Sequence, residues 1–311
     1  MSILLTPKLD LIFKKLFAEN VVILINLLNA VLGLPKKQQI RSVEVKNPII
    51  LPEEITQKFI VLDVLVTDKM GFSYEIEMQV RRYESYSKRA LYYLSRIYAG
   101  QLDSGEDYEK LKPVIGIHFL DYELFPDQDD FRFRFEMRDV RYPELRLTDD
   151  MVLHIFDLAK FENMMQNKQH GNDLSEWLHF FNHAHEEDKT MRTAYTNPAI
   201  HKAFDILETL SADEKTRRLA RIREDALRTE RSELFYAEKR GREEGEKRGE
   251  KRGLEKGEKR GLEKGRKENA VKTAKKLLAM AVLPPDQIAQ ATGLDIEEIQ
   301  NLRRKKKIPD A

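Results

Sequence analysis

"LDVLVTDKMGFSYEIEMQV", residues 62–80, is the stretch on which the reading of the chain turns. Two apolar runs flank "DKMG" (68–71), a turn signal, so an antiparallel hairpin centred near Met70 is predicted. Folding about that turn pairs residues whose numbers sum to about 140, which sets Asp63 opposite Glu77. Period two puts Glu75, Glu77 and Gln79 on one face and Tyr74, Ile76, Met78 and Val80 on the other. The second set is a core face. The first is unexpected, because strand interiors disfavour Asp and buried carboxylates need a partner or a metal.

Cross-strand neighbours sit about 5 Å apart at Cβ, so Asp63 and Glu77 repel unless a cation lies between them. Hard oxygen donors with no nearby thiolate point to Mg2+ or Mn2+. Such an ion lowers the pKa of bound water and polarises a phosphoryl oxygen, as phosphodiester hydrolysis requires. The same spacing also describes the solvated face of an ordinary hairpin, and spacing alone favours that reading.

Around the hairpin, the apolar periodicity of "DLIFKKLF" (10–17) extends to a helix over 8–33, stopped by Gly33 and Pro35. Strands are predicted at 40–45, 58–67, 72–80, 112–122, 131–140 and 151–158, with a helix at 85–102 and helical sequence from Asp173 to about Leu234. This order describes an α/β domain with a mixed central sheet. In the helix after the hairpin, Lys88 lies beside Arg89. Arg82, Arg89 and Arg96 recur every seven residues, as a phosphate-holding face or as a solvated face with packed stems. Tyr86, Tyr92, Tyr93 and Tyr98 are assigned to core and interface. His179, His183 and Glu187 fall at steps of four, spacing that suits a metal but lacks the HExxH order; chance on a polar helix face is the simpler account.

The hairpin and its surroundings resemble the PD-(D/E)XK nucleases, and more closely the recombination-promoting nuclease family, also described as PD-(D/E)XK family transposases. The matching blocks are "DLIFKKLF" (10–17), "LDVLVTD" (62–68), "IEMQV" (76–80), "KRALYYLSRIYAGQLDSGEDYEKLKPVIGIHFLDY" (88–122) and the glycine-rich charged tail. The resemblance implies a restriction-endonuclease-like core followed by a helical C-terminal extension, with Asp63 and Glu77 as metal ligands. Asp63, Glu77 and Gln79 would be the catalytic set, with Asp10, Lys88 and Arg89 as supporting candidates. Gln79 stands where the wider superfamily has Lys, and a neutral amide supplies no charge. Lys58, Lys88 or Arg89 would have to compensate. As a helix N-terminal Asp, Asp10 is also accounted for by the macrodipole alone.

Composition limits the alternatives. The 311 residues carry a net charge of only +1 and no cysteine, so disulfides, thiolate metal sites and thiol nucleophiles are excluded. The longest apolar run, "VVILINLLNAVLGL" (21–34), is too short to span a bilayer, and no signal peptide is read at the N-terminus. A soluble cytoplasmic protein is expected.

The character of the chain changes near residue 230. From Gly241 to Gly265, seven glycines recur at every fourth position among Lys, Arg and Glu. Pairs such as Glu243–Lys247 and Glu255–Lys259 favour a helix, whereas each Gly opposes one by about 1 kcal/mol. A flexible spacer and a helix packed against a second copy both remain, with the solvated spacer the simpler. Residues 270–304 regain an apolar pattern with a turn at Gly293, similar to a small helix-turn-helix unit, and "RRKKK" (303–307) adds a basic end for DNA contact or self-association.

The expected organisation is therefore a nuclease-like α/β domain at 1–165, a helical extension at 166–239, the charged glycine ladder at 240–269 and a helical module at 270–311. The expected function is Mg2+-dependent endonucleolytic cleavage of DNA, serving recombination or mobility, in a homo-oligomer formed through the C-terminal region. The alternative is a DNA-binding or self-assembling protein whose nuclease site has decayed.

Overall fold

The computed structural model describes residues 4–46, 49–50, 60–61, 63–165, 171–186, 191–281 and 283–305. Two compact units, residues 1–227 and 228–311, divide the chain.

The first unit is built on a six-stranded sheet. Its strands are β1 (Val43–Val45), β4 (Val64–Asp68), β5 (Ser73–Gln79), β6 (Val114–Leu120), β7 (Arg132–Glu136) and β8 (Met151–Asp157). They lie side by side in the order β1-β4-β5-β6-β8-β7. β5, β6 and β8 run parallel, and the outer pairings are antiparallel, so the sheet is mixed. A separate ladder joins β2 (Ile49–Ile50) to β3 (Ile60–Val61). The hairpin register agrees with the sequence reading: Val64 pairs with Ile76 and Val66 with Tyr74.

Two predicted elements are interrupted and a third is shorter than expected. The helix expected over 8–33 is two helices, α1 (Asp10–Ala18) and α2 (Val21–Leu32). Asn20 separates them by donating its side-chain amide to the Lys15 and Leu16 carbonyls, which ends α1 as a cap does. The strand expected over 58–67 is divided at Asp63, where the backbone bends and the carboxylate accepts the Met78 N–H at 2.8 Å. The helix expected over 85–102 is α3 (Tyr86–Ala99), so Arg82 precedes it and does not share a helical face with Arg89 and Arg96. Lys58 and Glu187 lie outside the described residues.

Apolar residues cover both sheet faces. On one, Val64, Val66, Tyr74, Ile76, Met78, Ile117 and Phe119 meet Ile12, Phe13, Leu16 and Phe17 of α1 and the buried side of α2. Helices α4 (Leu158–Met165), α5 (Asp173–His183) and α6 (Pro198–Ala212) complete the unit, with Trp177, Phe180 and Phe181 of α5 fully buried in the same core. On the opposite face α3 crosses β6 at Gly116, where an added Cβ would lie 2.8 Å from Leu153 and 3.1 Å from Leu94. This close approach sets α3 over the face that carries Glu75 and Glu77.

Helix α7 (Glu214–Met280) begins in the first unit and contains the glycine ladder, whose glycines are exposed except for the half-buried Gly265, all with open space where a side chain would stand. In the second unit Ala274, Ile288, Leu294 and Ile299 form a small core from α7, α8 (Pro285–Thr292) and α9 (Ile296–Lys305), with Gly293 in the left-handed conformation at the turn. Among the described residues no helix is long and apolar enough to cross a membrane.

Candidate active site

The polar face of β5 is not solvated. Glu75 is 0% exposed and Glu77 6%. Because β5 and β6 run parallel with Glu77 beside His118, the fully buried His118 ring reaches both acids, 2.6 Å from Glu75 and 4.0 Å from Glu77. The Tyr86 hydroxyl, at the start of α3, lies 2.7 Å from the other ring nitrogen. Burial alone would lower the His118 pKa, but the charge and hydrogen bond of Glu75, with Glu77 behind it, leave it raised. His118 Nε2 and the Glu75 carboxyl group share that 2.6 Å hydrogen bond. The other Glu75 carboxylate oxygen is buried with no hydrogen-bond partner.

Above this layer a cleft of about 260 Å3 is lined by Asp10, Asp63, Glu77, Gln79, Arg89 and Arg223, among others. Burial pushes Asp63 up to about 7, with Asp10 and Glu75 adding to the rise and the Met78 N–H opposing it. Glu77 is pushed up to about 8, by burial first and then by Glu75 and Asp63, while His118 and Arg89 pull it down. Two carboxylates in one cleft therefore resist ionising together. Gln79 donates its amide to Glu77, and its carbonyl oxygen accepts from Arg89 at 2.8 Å. The same guanidinium nitrogen is 3.4 Å from Glu77, and Arg89 also stacks over Tyr83 at 4.8 Å from the ring centre.

Of the sequence-predicted residues, Asp63, Glu77, Gln79 and Arg89 share the cleft. Asp10 lines it as well, with its carboxylate paired to Arg223 at 2.6 Å and accepting from the Leu11 N–H. Lys88 is exposed and does not line the cleft. In the histidine group, His183 is paired with Glu162 at 2.7 Å, and His179 meets the Tyr195 hydroxyl at 2.8 Å. The sequence does not anticipate His118 and Tyr86 as parts of the site. The available signal is the single ionisable residue in "VIGIHFL" (114–120), which sequence alone reads as a buried strand. Among the described residues, Glu75, Glu77 and His118 have donor atoms within 4.8 Å of one another; Asp63 stands outside that group.

A mixed sheet that brings paired acids and a cation to one cleft beside a crossing helix defines the restriction-endonuclease-like class of phosphodiesterase folds. The chain matches the PD-(D/E)XK nuclease family transposase model over residues 7–237, and it belongs to that family. No curated protein and no solved structure matches it. Family membership identifies a nuclease in general terms, and nucleases of this kind use divalent metals.

Proposed function

We propose that the protein is a metal-dependent DNA endonuclease in which Asp63 and Glu77 hold Mg2+, or Mn2+ in its place. The supporting observation is the convergence of Asp63, Glu77, Gln79 and Arg89 on one open cleft. The donor set fits a hard divalent ion. Glu77 is buried and Asp63 half-buried, and both are raised in pKa by loss of solvent first. The nearby acids Asp10 and Glu75 add to the rise at Asp63, and Glu75 and Asp63 add to it at Glu77. When bound, the ion would lower the pKa of a water and polarise the scissile phosphoryl group.

The side chains supply position and charge. The backbone hydrogen bond from Met78 fixes the Asp63 carboxylate, and Gln79 and Arg89 hold that of Glu77. The guanidinium, 2.8 Å from Gln79, provides at the place of the superfamily's Lys the positive charge that the amide lacks. It would steady a phosphate oxygen while Gln79 orients the attacking water. His118, closed beneath the cleft, bonds Glu75 at 2.6 Å and sets its ring 4.0 Å from Glu77, and neither His118 nor Glu75 meets substrate in this reading. Such cutting suits a role in DNA recombination or mobility, and the reducing cytoplasm suits a chain without cysteine. The C-terminal unit is assigned to self-association and to holding DNA.

Supercoiled plasmid offered to the purified protein with Mg2+, Mn2+ or EDTA tests this reading. Nicking that requires metal and disappears in Asp63→Ala and in Glu77→Ala is expected, together with a metal-induced rise in Tm seen only in the wild type. DNA binding by folded protein without cutting in any metal would favour a site decayed by the exchange of Lys for Gln79.

A further inference from the structure

A second cleft, of about 670 Å3, opens on the opposite face of the sheet and takes no part in the proposed chemistry. Its position follows from the register. Tyr74 pairs with Ile115 and Ile115 with Val152, and these three side chains share the face turned away from Glu77 and His118. With Phe72 and Leu32 they make an apolar floor. His154 lines the same floor, only 4% exposed, and its Nδ1 has no hydrogen-bond partner.

The rim is cationic. Lys37, Arg41, Lys69 and Arg134 line the cleft, against a single acid, Asp68. Asp68 is already engaged, accepting from the Met70 and Phe72 N–H groups and from the Tyr74 hydroxyl. Arg134 is paired with Glu136, which also takes Arg138 and Arg146, so that acid is shared among three cations. Lys37, Arg41 and Lys69 have no ion-pair partner among the described residues. The volume lies within the range of small-molecule sites, which combine an apolar body with a few directing polar groups. A structural cavity of this kind would not need exposed like charges around its mouth, where they repel one another, nor an unsatisfied imidazole in its floor.

We propose that this cleft binds a small amphipathic organic anion, its flat apolar body against Tyr74, Ile115 and Val152 and its anionic group between Arg41 and Lys69. His154 supplies the polar contact at depth. The low pKa of His154, about 4, agrees with this placement, since burial and then Arg134 and Arg132 disfavour its charge and an arriving anion would relieve the latter.

The probe is 8-anilinonaphthalene-1-sulfonate, titrated by fluorescence into the full chain beside its neutral analogue N-phenyl-1-naphthylamine. Saturable binding near one equivalent is expected, weakened at least tenfold for the sulfonate, but not for the neutral probe, in Arg41→Glu/Lys69→Glu. Both positions are exposed, so the fold is preserved. The chain has seven histidines, and the imidazole signal missing from His154→Gln should be the one that moves in the wild type as sulfonate is added. Equal affinity in the charge-reversed variant, an unmoved His154 signal, or release of the sulfonate by a short DNA duplex would each overturn the assignment.

Discussion

Gln79 and Arg89 together carry a question of charge. A neutral amide at the place of a lysine leaves developing negative charge uncompensated unless another cation is near, and Arg89 lies 2.8 Å from that amide. Arg89→Ala is therefore expected to slow plasmid nicking on the order of 10²-fold, the effect of removing one group that stabilises charge in the transition state. Arg89→Lys should recover part of the rate, and Gln79→Lys in the Arg89→Ala background should recover more; single-turnover rates at saturating metal distinguish them. Equal rates in wild type and Arg89→Ala would remove Arg89 from the mechanism. His154 provides a separate test through pH. Its folded pKa, about 4, lies below the ordinary 6.5 of a histidine, so near neutrality both folded and unfolded states are uncharged at this site. As pH falls from 6.5 towards 4 the unfolded chain gains a proton that the folded protein refuses, and stability drops. By pH 4.5 the decline attributable to His154 is on the order of 2 kcal/mol. Urea unfolding at pH 7 and 4.5 should show a smaller decline in His154→Leu; the same decline would mean that another group governs acid stability.

The placement of α3 decides whether Arg89 reaches Glu77 and Gln79 of β5 and whether Tyr86 reaches His118 of β6, and Gly116 decides the placement of α3. A methyl group there would stand 2.8 Å from Leu153 and 3.1 Å from Leu94, too close for either neighbour to stay where it is. Gly116→Ala is expected to destabilise the unit by about 1–3 kcal/mol and to shift α3 outward. Nicking should then fall even below the temperature at which the variant unfolds, whereas unchanged stability and activity would show that α3 adjusts at no cost. Nothing in the sequence around Gly116 signals this crossing. The hairpin is legible because its pattern is local: turn residues, period two and apolar alternation fix the register and bring Asp63 to Glu77. The burial of Glu75 is not, since it depends on His118 and Tyr86, each more than ten residues away. The break at Asn20 is hidden because apolar periodicity continues across it, and only the side-chain caps to Lys15 and Leu16 reveal it. At the glycine ladder, sequence leaves helix and spacer both open, with the spacer the simpler; the structure is helical, with i,i+4 pairing at Glu244–Arg248.

On the scale of the whole molecule, a net charge of +1 conceals a division. Residues 1–227 hold 31 Lys and Arg against 37 Asp and Glu, a net charge of −6, while residues 228–311 hold 23 against 16, a net charge of +7. An acidic nuclease unit repels the phosphate backbone at long range, and its divalent ion would offset that only locally. The attraction must then come from the basic unit, because backbone binding is governed by the cations that release counterions. Replacing the five cations of 303–307 with Gln lowers that unit from +7 to +2 without touching the proposed active site. DNA affinity in about 50 mM salt is expected to fall by at least roughly tenfold. The slope of log K against log salt should flatten, by roughly 0.9 for each phosphate that is no longer neutralised. Cutting of a short duplex at saturating concentration should persist, because the acids proposed to hold the metal are untouched. An unchanged salt slope would place DNA attraction on the acidic unit and leave the basic one to self-association.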